Sequence, residues 1–176
     1  MLLEQTCIVY SSRTGNTEKV ATALANAFMV PLFPVKTSPS LSSYTTVILG
    51  FWVRRALPDE DMLQFMETVQ NKNVFFFCTH AAWPDSDHIR KCCTYVREHL
   101  ENMHNRVLGC FSCQGSIQKL GKIHHAMTDE RRARLEEAAH HPDTNDFLHA
   151  VLAVQDALSV KTNSGQLLMP TDTMGK

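Results

Sequence analysis

Short apolar runs alternate along this chain with stretches whose apolar residues recur every three or four positions. Cys7-Ile8-Val9-Tyr10 and Val74-Phe75-Phe76-Phe77 are continuously apolar, as expected of strands covered on both faces of a sheet. Val20, Ala21, Leu24, Ala25 and Phe28 fall on one helical face. Met62, Phe65, Met66 and Val69 fall on a second, and Ile89, Cys92, Cys93, Val96 and Leu100 on a third. The pattern predicts strands near residues 5–11, 31–36, 45–50, 73–79 and 106–114. It predicts helices near 15–28, 59–70, 86–103, 128–140 and 144–159. Five strands separated by helices imply an α/β fold: a parallel, doubly wound sheet in three layers with right-handed crossovers. Pro31, Pro34 and Ser38-Pro39-Ser40 put the second strand at the periphery with a surface loop behind it. One domain is expected over residues 1–160, and an aperiodic, disordered tail over 161–176.

The junction between the first strand and the first helix carries the strongest chemical signal. Ser11-Ser12-Arg13-Thr14-Gly15-Asn16-Thr17 sets a hydroxyl-rich turn at the positive end of a helix, where backbone N–H groups hold phosphate readily. Gly15 allows close backbone approach, and Ser12, Thr14 and Thr17 add hydroxyl donors. An ordinary N-capped helix uses the same residue types, but seven in succession favour an anion. The chain lacks Gly-x-x-x-x-Gly-Lys-Ser/Thr and Gly-x-Gly-x-x-Gly, so neither a nucleoside-triphosphate loop nor a dinucleotide fingerprint is indicated. A monoester phosphate held mainly by neutral donors remains.

Ser12-Arg13-Thr14-Gly15-Asn16-Thr17 resembles the FMN-phosphate loop of flavodoxins. Gly50-Phe51-Trp52-Val53 and Thr79 with Ala82-Trp83-Pro84-Asp85-Ser86-Asp87 resemble the second and third flavin loops of a short flavodoxin-like branch common in anaerobic bacteria. Leu108-Gly109, Cys113-Gln114-Gly115, Arg131, Glu137-Ala138-Ala139 and His141-Pro142-Asp143 resemble that branch's C-terminal part, so the likeness spans residues 3 to about 158. It implies a flavodoxin-like strand order 2-1-3-4-5, with the ligand at the carboxyl ends of strands 1, 3 and 4. It also implies FMN as cofactor, bound by Ser12, Arg13, Thr14, Gly15, Asn16 and Thr17 at the phosphate. Trp52, Val53, Arg54, Thr79, His80, Ala81 and Trp83 would lie at the ring. Trp52 and Trp83 are the chain's two tryptophans; stacking of this kind adds about 0.5–1.5 kcal/mol beyond area burial. Phe51 reads as core. Asp85 and Ser86 read as caps of the third helix.

Four positions depart from the family pattern. Ala56 stands where the second loop usually has glycine, and a left-handed alanine costs roughly 1–2 kcal/mol. In the family a peptide of this loop turns towards the flavin in its one-electron-reduced state, so Ala56 would disfavour that state. Arg54 and Arg55 replace an acid–lysine pair. One positive charge about 8 Å from the flavin, at an effective dielectric of about 20, contributes roughly 2 kcal/mol in favour of the two-electron-reduced anion. Both changes point to a flavin that passes electrons in pairs, unless the arginines are solvated and face outward. His80 stands where the family has an apolar residue; it could donate to the flavin, titrate near neutral pH or sit exposed in its loop.

Composition narrows the rest. With 176 residues, 44% hydrophobic and 20% charged, a net charge of −1 and no apolar run of membrane-spanning length, a cytoplasmic globular protein is expected, with no membrane association. The N-terminus does not read as a signal peptide. Six cysteines fit that compartment as reduced thiols. Cys110-Phe111-Ser112-Cys113 lies inside an apparent strand rather than opening a helix, so two buried structural thiols are expected instead of a redox dithiol. No metal site is expected: the pairs His124-His125 and His140-His141 are adjacent and diverge on a helix. Residues 116–141 carry a local basic patch, either a solvated helix or a docking face. Nucleic-acid binding is not expected, and no residue stands out as a catalytic acid, base or nucleophile. The function implied is electron transfer between FMN and a redox partner protein, a reductase or oxidoreductase. The alternatives are an FMN-dependent NAD(P)H or quinone oxidoreductase and a flavin-free adaptor.

Overall fold

The computed structural model describes residues 4–117 and 127–163. The parallel strands are β1 (Thr6–Tyr10), β2 (Leu32–Pro34), β3 (Thr46–Arg54), β5 (Asn73–His80) and β6 (Arg106–Gln114), with a two-residue antiparallel strand β4 (Leu57–Pro58) beside β3. The helices are α1 (Asn16–Phe28), α2 (Glu60–Met66), α3 (Asp87–Asn102), α4 (Asp129–Ala138) and α5 (Thr144–Asn163). The sheet order β2-β1-β3-β5-β6 is 2-1-3-4-5 among the parallel strands, as expected.

Strand alternation sorts the apolar residues into two cores. Cys7, Val9, Val47, Leu49, Phe51, Val74, Phe76 and Cys78 face α2 and α3, meeting Met62, Met66, Cys92, Val96 and Leu100. Ile8, Tyr10, Ile48, Phe75, Phe77 and Cys113 face α1 and α5, meeting Val20, Ala21, Leu24, Ala150 and Val154. Phe51 is fully buried and stacks on Phe76, so it is core as expected.

Several boundaries differ from the sequence reading, each for a local reason. β3 runs four residues past its expected end at 50, because β4 folds back on it and extends its ladder. α2 stops at Met66 rather than 70: the Thr68 and Val69 amides bond three residues back, and Asn71 turns left-handed (φ 56°). α5 reaches Asn163, so residues 161–163 are helical and the rest of the expected tail, 164–176, lies outside the described residues. Lys119, Lys122, His124 and His125 of the basic patch also lie outside them. Cys110 corrects an expectation: it is exposed, because β6 is an edge strand, whereas Cys113 is buried. The hydrogen bond with the neighbouring Cys93 thiol raises the Cys110 pKa, and burial pushes Cys113 up. Both remain thiols at neutral pH, the reverse of a redox dithiol's lowered pKa.

Candidate functional site

The turn between β1 and α1 is anchored from below. The Ser11 amide donates to the Gly50 carbonyl at 2.8 Å, and its hydroxyl donates to Asp59 Oδ1 at 2.6 Å. Asp59 is 3% exposed and caps α2 by accepting from the Met62 amide. Burial raises its carboxyl pKa, against the lowering effect of these hydrogen bonds. Gly15 then swings to φ 89° as the N-cap of α1, with no side-chain cap. Ser12 Oγ accepts from the Gly15 and Glu18 amides at 3.2 and 3.3 Å. Among the described residues, nothing takes the Asn16 and Thr17 amides. Two spare N–H groups at a helix N-terminus make an anion cradle.

Asn16 ties this turn to the far end of β6. Its Nδ2 donates to the Ser116 carbonyl at 2.8 Å and to Thr14 Oγ1 at 3.1 Å, and its Oδ1 accepts from the Ser116 hydroxyl at 3.3 Å. A Cβ on Gly115 would lie 2.7 Å from Asn16 Nδ2, so the approach requires glycine. Thr17 is buried, and its Oγ1 lies 2.9 Å from Thr79 Oγ1. That pair holds two O–H protons and uses one between its members, leaving the other to donate elsewhere.

A cavity of about 570 Å³ opens beside the turn, within the range of cofactor sites. Arg13, Thr14 and Asn16 come from the first turn, Trp52 and Val53 from β3, and Thr79, His80 and Ala81 from the end of β5. Gly115, Ser116 and Ile117 complete it from beyond β6. These last three were not among the expected site residues; the glycine closing the fifth strand was the available signal. Arg13 lies over the Trp52 ring, 5.5 Å from its centroid, a cation–π contact across the mouth. Of the other expected residues, Ser12, Gly15 and Thr17 shape the turn without lining the cavity, and Trp83 is 38% exposed on the next loop.

Arg54 sits apart from the cavity lining, in the β3–β4 hairpin, and pairs with Glu60 at 2.7 Å. Its charge is therefore compensated on the exposed surface. Arg55 and Ala56 form the two-residue turn, both left-handed at φ 54° and 63°. That geometry matches the twist of a two-residue hairpin, although glycine or asparagine normally supplies it. The Ala56 amide donates to His88 Nε2 at 3.1 Å, which pins the turn to α3. Of the two expected caps of the third helix, Ser86 does occupy the N-cap, though without a side-chain bond, whereas Asp85 lies before it, left-handed, with its carbonyl accepting from Arg90.

His80 is 6% exposed, and burial pushes its pKa down to about 4. At neutral pH its imidazole is uncharged. Behind the cavity, the Ser116 amide donates to the His141 carbonyl. His141 Nδ1 lies 2.6 Å from Asp146, whose hydrogen bond raises the imidazole pKa. Asp143 accepts from the Asn145 and Asp146 amides, so this cluster caps α5.

Comparison with known proteins agrees with this arrangement. The family model for the flavodoxin domain matches residues 7–155. The flavodoxin-like domain-containing protein BilS of Clostridioides difficile (strain CD3) is 26% identical over 168 residues, covering 86% of this chain and 94% of that protein. Flavodoxin 1 of Bacillus cereus superposes with a TM-score of 0.52 at 17% identity, over 82% of this chain and 97% of its own. A flavodoxin from the Archaea gives a TM-score of 0.53 at 15% identity, over 87% and 98%. No described helix is long and apolar enough to cross a membrane.

Proposed function

The chain belongs to the flavodoxin domain family, and on that premise we propose that it binds FMN non-covalently and exchanges electrons with a partner protein. The observation carrying this reading is the joining of the 12–17 turn to a 570 Å³ cavity at the carboxyl ends of β1, β3 and β5. The residues present fit the cofactor. Spare Asn16 and Thr17 amides, a left-handed Gly15 and the Thr17–Thr79 hydroxyl pair suit a phosphate monoester without a lysine. Trp52, Val53, Thr79, His80 and Ala81 supply a mixed apolar and polar wall for a flat ring. When bound, the flavin supplies the redox chemistry. The chain's own work is to bind, orient and exclude water.

Partner docking is supported by the surface beside the cavity. Leu57 in β4, Trp83 in the loop after β5 and Ile117 after β6 are exposed. With a net charge of −1, the protein lacks a strong field of one sign, so apolar contact rather than long-range steering would select the partner. The compensated Arg54 and the pinned hairpin bear on electron number. Arg54 is paired with Glu60 at the exposed surface, and Ala56 already holds the left-handed conformation. It is therefore the pinning of the turn by His88, rather than the cost of reaching that conformation, that would resist a rearrangement towards the flavin.

Purified protein should carry a yellow flavin spectrum, and released cofactor should be FMN on chromatography. A colourless protein that takes up no added FMN would overturn the reading. Stopped-flow mixing with NAD(P)H alone then separates a carrier from a stand-alone oxidoreductase: the carrier's flavin should stay oxidised, and prompt bleaching would assign the enzyme.

A further inference from the structure

We propose that His80 contacts the ligand directly, one ring nitrogen hydrogen-bonding the polar edge of the flat heteroaromatic ring that enters the cavity. This deepens the FMN reading and rests on it. His80 closes β5, lines the cavity and is 94% buried by its 6% exposure, yet neither Nδ1 nor Nε2 has a hydrogen-bond partner among the described residues. Buried polar atoms without partners are uncommon, because each gives up its hydration for nothing.

The neighbouring polar groups bond elsewhere, and none of them reaches either ring nitrogen in hydrogen-bonding geometry. The Ala82 carbonyl accepts from Gln114 Nε2 at 2.9 Å. The Ala82 backbone stands near the ring and favours its charged form, but no hydrogen bond of good geometry joins the two. The backbone carbonyl of His80 accepts from the Gly115 amide at 2.8 Å. Thr79 is paired with Thr17. His88, whose charge would disfavour a second positive ring, takes the Ala56 amide with its Nε2. Asp85 and Asp146 act on His80 only through space, favouring its charged form more weakly than burial disfavours it. The missing partner therefore comes from the cavity.

Neutral imidazole offers one N–H and one lone pair. A ring whose edge alternates carbonyl and N–H groups, as the pyrimidine edge of a flavin does, complements either nitrogen. A purely apolar occupant would leave His80 as costly as before.

The test uses the whole chain with FMN as the probe. His80→Leu should raise the FMN dissociation constant about tenfold. It should also raise the thermal midpoint of the apoprotein, because an unsatisfied buried group is gone. His80→Asn or His80→Gln, which replace Nδ1 or Nε2 with an amide nitrogen, should restore most of the affinity, and the better one identifies the bonding nitrogen. In wild type, FMN should shift the ¹⁵N resonance of that nitrogen. If H80L lowers apoprotein stability and FMN affinity together, the ring is structural and the proposal fails. Wild type that binds FMN with both His80 nitrogens unshifted also overturns the contact while leaving the FMN reading intact. Wild type that takes up no FMN overturns the FMN reading itself.

Discussion

The turn after β1 and the turn after β5 leave the same end of the sheet and handle their polar side chains in opposite ways. In the first, Ser12 accepts from two amides, Asn16 makes bonds to Thr14 and Ser116, and Thr17 is paired with Thr79. That turn is organised before any ligand arrives, so little ordering cost remains at binding. In the second, Ser86 caps without a side-chain bond, Trp83 is exposed, and His80 is buried without a partner. Unspent hydrogen-bonding capacity lowers the stability of the free protein and is recovered only on recognition. The first turn thus contributes rigidity, and the second contributes selectivity at the expense of stability.

The sharpest way to break this contrast is pH. Unfolded His80 has its ordinary pKa near 6.5, while the folded value is about 4. Between those values the unfolded chain binds a proton that the folded one refuses, so stability is present above pH 6.5 and is lost as the pH falls. The loss should reach about 3 kcal/mol in the apoprotein. Urea unfolding of wild type against His80→Leu isolates it: the variant should lack this part of the acid slope. Equal slopes would mean that the imidazole is not shielded as described.

Next in size is Asn16→Ala. It removes the bridge to Ser116 and leaves two loops without their shared donor, which should cost about 2 kcal/mol and weaken FMN binding. Unlike His80→Leu, it should lower stability and affinity together. Third is Thr17→Val, which strands the buried Thr79 hydroxyl and should cost about 1–2 kcal/mol. If Thr17→Val weakens FMN binding but not riboflavin binding, the spare hydroxyl proton serves the phosphate. Equal losses for both ligands would confine Thr17 to holding Thr79 in place.

How much of this was legible in the chain follows from the range of each interaction. The strands and first turn were legible because Cys7 to Tyr10 and Val74 to Phe77 are local apolar runs, and Gly15 among hydroxyls is a local signal. The Ser116 side of the cavity was not, because Asn16 and Ser116 meet across 100 residues of chain. The hairpin was hidden for another reason: Arg55-Ala56 is no turn signature, and Pro58 argues against a strand. Val69 kept the helical period of α2 but is buried from the turn beyond it, since periodicity records a buried face and not the element that presents it. His80 was readable as a polar residue in the third loop, but its burial depends on how α3 and the end of β6 close around it.

The smallest effect tests the hairpin. Ala56 stands at φ 63°, where alanine is disfavoured by roughly 1–2 kcal/mol and glycine is not. Part of that gain is lost because glycine also enlarges the unfolded ensemble, so Ala56→Gly should raise stability by only about 0.5 kcal/mol. Its influence on redox behaviour should be plainer. The His88 bond to the Ala56 amide holds the turn in one state, and glycine lowers the barrier to others. A spectroelectrochemical titration of the FMN-loaded protein should therefore show more one-electron-reduced flavin in Ala56→Gly than in wild type, and more again with His88→Ala added. No change in either variant would separate the hairpin's geometry from electron number and leave pairing to the flavin's other neighbours, Trp52 foremost among them.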